Sequence, residues 1–268
     1  MKLLRLFLPV IIFSAFFLWS SPAEASFQNG IPVLLYHHVS DEQTELPKLT
    51  VTTEVFASQM KELYQAGFQT ISQADLIDYL AGKKIALPPK PIVISFDDGY
   101  EDNYVNAFPI LKKYGFRATI FMVGVNIDAP RRLAKTQIQE MSQYGMEFGA
   151  HSVTHSNLTK LTPVELRREI RQSKAVLEKV VRKKVKLFSY PYGFFNLPVW
   201  EEVEFAGFEG AVTVLSGPVK ENYDNLYLMR RITILRNTDF DDLLAKLKAN
   251  KPKELLLDYW PELFYEAD

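Results

Sequence analysis

The stretch Ile92-Val93-Ile94-Ser95-Phe96-Asp97-Asp98-Gly99 joins a short apolar run to two adjacent carboxylates. A short apolar run rich in β-branched residues predicts a buried strand, and Asp-Gly is a common turn dipeptide. Two carboxylates at the end of a buried strand repel each other unless a cation or a proton lies between them. The stretch therefore predicts a strand of a parallel sheet whose carboxyl end is either a plain turn or a functional site.

Short apolar runs alternate with longer amphipathic segments on both sides of this strand, which is typical of βα units around a parallel sheet. The clearest helix is predicted over 163–181, where Thr162 is the N-cap and Glu165 completes a capping box. Strands are predicted at 33–36, 68–71, 92–96, 118–123, 147–150, 187–190, 210–214 and 231–235. This pattern predicts a single-domain α/β barrel, or a distorted version of one.

The composition excludes several classes of protein. Lys and Arg number 31 against 32 Asp and Glu, a formal net charge of −1, so no global basic field would attract nucleic acid. The absence of cysteine excludes a thiol nucleophile, a thiolate zinc site and a lipid-bearing cysteine. Any bound metal must therefore be held by nitrogen and oxygen atoms, and the four histidines are the nitrogen candidates.

The first 25 residues have the pattern of a secretory signal peptide. Lys2 and Arg5 precede an apolar run over 6–19, and Ala23-Glu24-Ala25 places small residues where signal peptidase cleaves. An uncleaved membrane anchor is the alternative, although a run of about 14 residues is shorter than the roughly 20 that a spanning helix needs. In both cases residues 26–268 are expected outside the cytoplasm, as a secreted, cell-surface or periplasmic domain.

Two more predicted strand ends carry polar clusters. His151-Ser152-Val153-Thr154-His155 follows the strand at 147–150. On a helical turn, two imidazoles four residues apart share a face and reach one ion, with core packing or capping as the rival interpretation. Tyr190-Pro191-Tyr192-Gly193 ends the strand at 187–190 in a turn whose backbone amides can face a ligand. Because strand ends of an α/β barrel carry its chemistry, these junctions are the predicted site.

Together the three clusters resemble the motifs of the polysaccharide deacetylases of carbohydrate esterase family four, the NodB-homology fold. The match is in order and spacing as well as in residue type, and it covers roughly residues 31–235. The resemblance implies a distorted (β/α) barrel and a hydrolase that removes acetyl groups from the N-acetylated sugars of a polysaccharide.

The resemblance also implies roles for single residues. A divalent metal, expected to be zinc with cobalt or nickel as alternatives, would be held by Asp98, His151 and His155. Asp97 would be the general base for attack of metal-bound water on the acetamide. The backbone N–H of Tyr192, next to Pro191, would stabilise the oxyanion. The residue types alone do not distinguish the roles of Asp97 and Asp98.

One departure from the common family pattern concerns the catalytic acid. Many members take this acid from a histidine near the C-terminus, but no histidine follows His155 here. The His37-His38 pair at the end of the first strand is similar to the permuted members, including the biofilm poly-N-acetylglucosamine deacetylases. The resemblance therefore assigns protonation of the leaving amine to His37. Because consecutive strand residues face opposite sides, His38 is expected to be a structural histidine.

A second departure concerns the arginine that pairs with the catalytic Asp. Many members carry it shortly before the proline of the third motif, where this chain reads Leu187-Phe188-Ser189-Tyr190. Arg231 resembles an arginine of the permuted relatives and is the candidate to orient Asp97. A surface charge is the alternative, and the neighbouring Arg230 leaves the choice open.

The sequence therefore predicts an exported, metal-dependent N-deacetylase acting on N-acetylglucosamine units of a polysaccharide. The alternatives are a catalytically inactive glycan-binding module and a deacetylase of peptidoglycan or xylan. The expected partner is an N-acetylated polysaccharide, with association to the cell surface or membrane as a further expectation and no nucleic acid partner.

Overall fold

The computed structural model describes residues 30–220 and 225–249. The strands are β1 (Val33–Tyr36), β2 (His38–Val39), β3 (Thr50–Val51), β4 (Gln69–Thr70), β5 (Pro91–Phe96), β6 (Thr119–Met122), β7 (Glu147–Ala150), β8 (Leu187–Ser189), β9 (Gly210–Ser216) and β10 (Met229–Thr233). The α-helices are α1 (Thr53–Gln65), α2 (Gln73–Leu80), α3 (Phe108–Lys113), α4 (Lys135–Tyr144), α5 (Pro163–Val181), α6 (Leu197–Phe205) and α7 (Phe240–Ala249). A π-helical segment, Asn103–Ala107, leads into α3.

In the described part of the chain, seven parallel strands form a closed barrel in the order β1-β10-β9-β8-β7-β6-β5, and β5 pairs with β1 to close it. The single-domain α/β barrel predicted from the sequence is confirmed. All the predicted strand positions carry strands, but β4 lies outside the barrel and pairs with the first residues of β5. The barrel is therefore a distorted one, with one strand fewer than a regular eight-stranded (β/α) barrel.

Alternation along the strands separates an inner apolar cluster from the layer between barrel and helices. The inner cluster includes Val33, Val93, Phe121, Leu187 and Met229, whereas Leu34 and Ile94 pack with residues of the surrounding helices. Successive side chains of a strand point to opposite sides, so every second residue after these inner positions also faces the barrel interior. At the carboxyl ends of the strands these inward-facing residues are polar. They are His37, Asp97, His151, Ser189 and Arg231. The strand geometry thus directs polar groups from five strands to one end of the barrel interior.

The longest helix has the boundaries predicted from the sequence. α5 spans Pro163–Val181, and the Thr162 hydroxyl accepts the N–H of Glu165 while the Glu165 carboxylate accepts the N–H of Thr162. This reciprocal capping satisfies backbone donors that the first turn of a helix leaves free. The predicted helix and its capping box are confirmed, and the helix fixes one wall of the site described below.

Glu147, at the amino end of β7, is a carboxylate enclosed between β6 and the start of α2. Its Oε2 atom accepts the N–H of Gln73, the N–H of Ala74 and the hydroxyl of Thr119. Burial outweighs these hydrogen bonds and raises the pKa of Glu147 from an ordinary value of 4.5 to about 7. The folded protein therefore holds this proton at pH values where the unfolded chain has lost it.

We predict that Glu147 makes the free energy of unfolding of the wild-type protein fall, relative to that of Glu147→Gln, as the pH rises from about 4.5 to above 7, because the folded state keeps the Glu147 proton in this window. The loss is at most roughly 3 kcal/mol. Glu147→Gln should remove it, since the amide keeps the oxygen acceptor but does not titrate. Urea denaturation of both proteins between about pH 5 and about pH 8 measures the difference. Equal pH dependence in the two proteins would contradict the prediction.

Within residues 30–220 and 225–249, no helix is both long enough and apolar enough to span a bilayer. The signal peptide predicted over residues 1–25 lies outside the described residues.

Candidate metal centre and active site

The turn after β5 positions the two adjacent carboxylates differently. Asp98 and Gly99 both have positive φ values, 72° and 70°, so the chain turns sharply at the residue after Asp97. This backbone conformation is uncommon for residues with a side chain and is enriched for Asp and Asn. Both carboxylates are buried. The stretch is therefore a turn, as Asp-Gly predicts, and also the place where two buried carboxylates meet other polar groups.

The segment from His151 to His155 is a loop and not the helical turn expected from the sequence. Ser152 and His155 have φ values of 61°, and the His155 N–H donates to the Ser152 hydroxyl at 2.9 Å. The N–H groups of residues 153 and 154 donate to one oxygen of Glu169, a buried residue of α5. The sequence placed Glu169 within an amphipathic helix and gave no signal of this role. The two imidazoles are brought together by this anchored loop.

Asp98, His151 and His155 converge at the mouth of the barrel. The Asp98 Oδ1 atom lies 3.6 Å from His151 Nε2 and 3.4 Å from His155 Nε2, and the three ligand atoms lie within 4.8 Å of one another. Ligand atoms that share one tetrahedral metal at about 2.0–2.1 Å are separated by roughly 3.4 Å. His151 Nδ1 donates to the Ser189 carbonyl at 2.8 Å, which leaves Nε2 with a lone pair facing Asp98.

The protonation states of these groups also suit a metal. Burial alone would raise the pKa of the Asp98 carboxyl, but His155 and His151 outweigh it and hold this pKa below its usual value. Burial, with His151 adding to it, lowers the pKa of His155 to about 4. Metal ligands must be an ionised carboxylate and neutral imidazoles. One carboxylate and two imidazoles form a set that fits a divalent ion with positions left open for other ligands.

Asp97 is held by a buried arginine from β10, a strand that only β1 separates from β5. Arg231 donates from Nη1 to Asp97 Oδ1 at 2.8 Å and from Nη2 to Asp97 Oδ2 at 2.7 Å. The Ser189 hydroxyl donates to Asp97 Oδ2 at 3.2 Å and accepts from Arg231 Nη2 at 3.0 Å. Burial alone would raise the pKa of Asp97, but the Arg231 guanidinium outweighs it and holds this pKa well below its usual range. Asp97 is therefore an ionised, fixed carboxylate.

Arg231 is fully buried, so the alternative of a surface charge is excluded for this residue. Its Nε atom donates to the Thr213 carbonyl at 2.8 Å, and its guanidinium lies over the Phe121 ring at 5.6 Å. Arg230 is on the opposite side of β10 by strand alternation. Side-chain alternation along β10 therefore places Arg231, and not Arg230, inside the barrel.

We predict that Arg231→Met lowers the free energy of unfolding by about 3–5 kcal/mol, because it leaves the Asp97 charge buried without its partner. Arg230→Met, on the neighbouring residue, should change stability by less than about 1 kcal/mol, as expected for a partly exposed position. Urea denaturation of both variants measures the contrast. Equal stability changes in the two variants would contradict the assignment of Arg231 as the buried partner.

The two adjacent histidines of the N-terminal segment face different surroundings. His37 is buried beside Asp97 and Asp98, and burial lowers its pKa although both carboxylates act in the opposite direction. Its Nδ1 atom has no hydrogen-bond partner among the described residues. His38 instead places Nδ1 2.6 Å from Asp102 Oδ2. Asn103, a buried residue of the π-helical segment, donates to the His37 carbonyl at 2.8 Å, a contact that the sequence analysis missed.

The third motif forms a tight turn next to His155. Tyr192 has a φ value of 59°, and its ring meets the His155 ring at a centroid distance of 4.5 Å and an angle of 64°. Pro191 is buried at the start of this turn. The N–H groups of Gly193 and Phe194 are used by the carbonyls of Tyr190 and Pro191. The structure thus brings seven of the predicted site residues to one end of the barrel: His37, Asp97, Asp98, His151, His155, Tyr192 and Arg231.

A closed parallel barrel with a carboxylate–imidazole cluster at its mouth defines a class of α/β-barrel hydrolase sites suited to a divalent metal. A relative that is 33% identical over 76% of this chain shows that the chain belongs to the polysaccharide deacetylase family. A family model described as polysaccharide deacetylase matches residues 84–211, a range that contains the three motifs but neither His37 nor Arg231.

Relatives and solved structures agree with this assignment. YxkH of Bacillus subtilis (strain 168), a polysaccharide deacetylase by name, is 33% identical over 204 residues, which are 76% of this chain and 71% of YxkH. The poly-beta-1,6-N-acetyl-D-glucosamine N-deacetylase of Staphylococcus aureus (strain MRSA252) is 26% identical and covers 82% of this chain and 83% of its own length. The structure of the Streptococcus pyogenes deacetylase PplD in complex with acetate superposes with a TM-score of 0.76 and 28% identity, over 81% of this chain and 98% of PplD. The chain is therefore a member of a family of deacetylases.

Proposed function

We propose that this protein is an exported, metal-dependent N-deacetylase that removes acetyl groups from N-acetylglucosamine units of a polysaccharide. The observation that carries the proposal is the convergence of a three-ligand set, Asp98, His151 and His155, with a separate ionised carboxylate, Asp97. One group suits a divalent ion and the other is free to accept a proton. Zinc is the proposed metal because a mixed nitrogen and oxygen set without sulfur suits it, with cobalt or nickel as substitutes.

In this proposal Asp97 is the general base. A divalent metal, when bound, polarises the acetamide carbonyl and lowers the pKa of water at the site. Asp97 lies beside this position and accepts the proton of the attacking water at a free lone pair of its carboxylate. Because Arg231 holds the pKa of Asp97 low, the residue stays ionised at neutral pH. Arg231 and Ser189 keep the carboxylate in one orientation throughout.

The proposed roles of the other residues follow from their placement. The N–H of Tyr192 would donate to the developing oxyanion, since the neighbouring amides of the turn are already engaged. His37 would donate a proton to the leaving amine nitrogen as the carbon–nitrogen bond breaks. Burial lowers the pKa of His37 and favours its neutral form, so the proton that it gives to the amine would be the one that Asp97 has taken from the attacking water. Asn103 would act as a positioning residue by fixing the backbone of His37.

We predict that Asn103→Leu lowers kcat by about tenfold to a hundredfold with little change in KM, because it removes the donor that fixes the His37 carbonyl. Asn106→Leu is a matched control, since Asn106 donates in the same way to the Val39 carbonyl at 2.8 Å. That control should keep kcat within about threefold of wild type. Steady-state acetate release measures both variants. An equal loss in the two would assign Asn103 a purely structural role.

The substrate and location are also part of the proposal. The Staphylococcus aureus relative is named for poly-beta-1,6-N-acetyl-D-glucosamine, which supports an extracellular glycan of this type as the substrate here. Residues 1–25 would act as the secretory signal and residues 26–268 as the deacetylase domain, so the enzyme would act outside the cytoplasm or at the cell surface.

Acetate release tests the proposed function. Zinc-loaded protein should release acetate from N-acetylglucosamine oligosaccharides, and release from acetylated xylan or peptidoglycan fragments should be slower. A faster reaction on xylan or peptidoglycan would support one of the alternative substrates. A zinc-loaded protein that binds these glycans and releases no acetate from any of them would support the inactive glycan-binding module.

A further inference from the structure

A concave region lies beside the candidate metal centre and is lined by residues that follow His37 and Gly99. It is a groove of about 390 Å³ between the segment that follows His37 and the segment that follows Gly99. Its charged lining consists of five carboxylates and one arginine: Asp41, Glu42, Glu45, Glu101, Asp102 and Arg131. We call this region the acidic groove. Tyr100, two residues after the proposed metal ligand Asp98, also lines it, and so does His38, which directly follows His37.

A buried histidine without a complete set of partners faces this groove. His38 is 4% exposed, and its Nδ1 atom donates to the Asp102 carboxylate at 2.6 Å. In the neutral imidazole this leaves a lone pair on Nε2, which has no hydrogen-bond partner among the described residues. The nearest charged atom is Glu45 Oε2 at 3.6 Å, which is too far for a hydrogen bond. Two acceptors therefore face each other with no donor between them.

Neighbouring contacts hold these acceptors in place. Glu45 Oε1 accepts from Arg132 at 3.1 Å, which leaves Oε2 directed toward His38. Asp102 Oδ1 accepts the N–H of Val39 and the amide of Asn103. The Tyr100 ring lies 3.4 Å from the His38 ring and 4.0 Å from the Arg132 guanidinium. The geometry of the groove is therefore fixed by contacts within the protein.

The chemistry of the groove selects the kind of ligand. An excess of carboxylates favours a cation, and paired acceptors require a donor with several hydrogens. The groove does not supply a metal set, because Asp98, His151 and His155 form the only such cluster in the described residues. A hydroxyl group of a neutral sugar would satisfy one acceptor but would leave the excess negative charge unbalanced. A primary ammonium group has both a positive charge to balance the excess of carboxylates and three donors for these acceptors.

We propose that the acidic groove is a subsite for the ammonium group of a glucosamine unit in a partly deacetylated chain. The inference rests on the proposed function, since deacetylation of N-acetylglucosamine leaves this amine on the polymer. A unit that has already reacted would bind at His38, Glu45 and Glu101 while an acetylated unit lies at the metal centre. The enzyme would therefore favour chains that already carry free amines.

Equilibrium binding tests the groove independently of catalysis. A glucosamine trisaccharide without acetyl groups should bind the wild-type protein, at a pH where its amines are protonated, and the double variant Glu45→Gln/Glu101→Gln should bind it about tenfold more weakly. Glu204→Gln, which neutralises an exposed carboxylate of α6 outside the groove, should bind it as wild type does. Wild-type affinity in the double variant, or no binding by the wild-type protein, would overturn the proposal.

Kinetics distinguish failure of the subsite from failure of the proposed function. On N-acetylglucosamine pentasaccharides, one glucosamine unit should lower the KM of the wild-type enzyme by about fivefold to tenfold. This ratio should fall to about one in Glu45→Gln/Glu101→Gln and persist in Glu204→Gln. Equal KM values for both pentasaccharides in the wild-type enzyme would reject the subsite and leave the deacetylase intact. If neither pentasaccharide released acetate, the proposed function would be rejected. The binding experiment would then be the test of whether the acidic groove binds a glucosamine unit.

Discussion

Asp97→Asn is expected to lower the rate of acetate release by about 10³-fold or more while the protein still binds one metal ion. The variant removes the proposed general base, a group whose contribution is typically 10²–10⁴-fold. It leaves Asp98, His151 and His155 unchanged, and these are the residues that converge as the proposed metal ligands. Acetate release under saturating substrate and metal content of the same sample measure the two effects together.

This variant also breaks the buried pair with Arg231, so folding must be separated from catalysis. Asp97→Asn leaves the fully buried guanidinium without its ionic partner, which should destabilise the fold by about 3–5 kcal/mol. The double variant Asp97→Asn/Arg231→Gln removes both charges and should recover part of that stability without recovering activity. Activity within tenfold of wild type in either variant would contradict the role of Asp97 as base.

His151→Ala is expected to lose both the metal and the activity. It removes one of the three proposed ligands, and Asp98 and His155 alone should hold a divalent ion much more weakly. It also removes the donor that satisfies the Ser189 carbonyl at 2.8 Å. Zinc at about 100 times its Kd should stabilise the wild-type protein by roughly 2.7 kcal/mol and should not stabilise the variant. Thermal unfolding with and without zinc measures this difference.

His38→Asn is the matched control for the loss of an imidazole. His38 is buried like His151 but faces Asp102 and not the metal ligands. The control should keep about one metal ion per chain and the stabilisation by zinc. Retained zinc stabilisation in His151→Ala, or its loss in His38→Asn, would contradict the assignment of the ligand set.

The fold was predictable because its periodic signals are local. The strand at 92–96 and the helix at 163–181 carry their own apolar pattern and caps, and both are confirmed. The closure of the barrel with β4 left outside was not predictable in the same way. The closure depends on pairing between strands that are distant in the sequence. The sequence of β4 has the same short apolar pattern as the strands of the barrel, so it does not indicate that β4 lies outside.

The site was predictable to the extent that its residues fall in contiguous motifs. His151 and His155 were predicted as a pair, but the helical turn was wrong, because positive φ values at Ser152 and His155 and the contacts to Glu169 shape the loop. Glu169 and Asn103 are ordinary helix positions in the sequence. Their roles depend on side-chain contacts across the fold, which no local pattern encodes.

The choice between Arg230 and Arg231 shows the same limit. Both residues precede the same apolar run, and the register of β10 in the barrel decides which one points inward. Once Met229 is known to lie in the inner cluster, strand alternation selects Arg231.

A zinc titration of chelator-treated protein tests the central claim most directly, with acetate release from an N-acetylglucosamine oligosaccharide as the readout. If Asp98, His151 and His155 hold the catalytic metal, activity should be near zero without metal. It should then rise in proportion to zinc and level off at about one ion per chain. Full acetate release from protein that contains no metal would contradict the account.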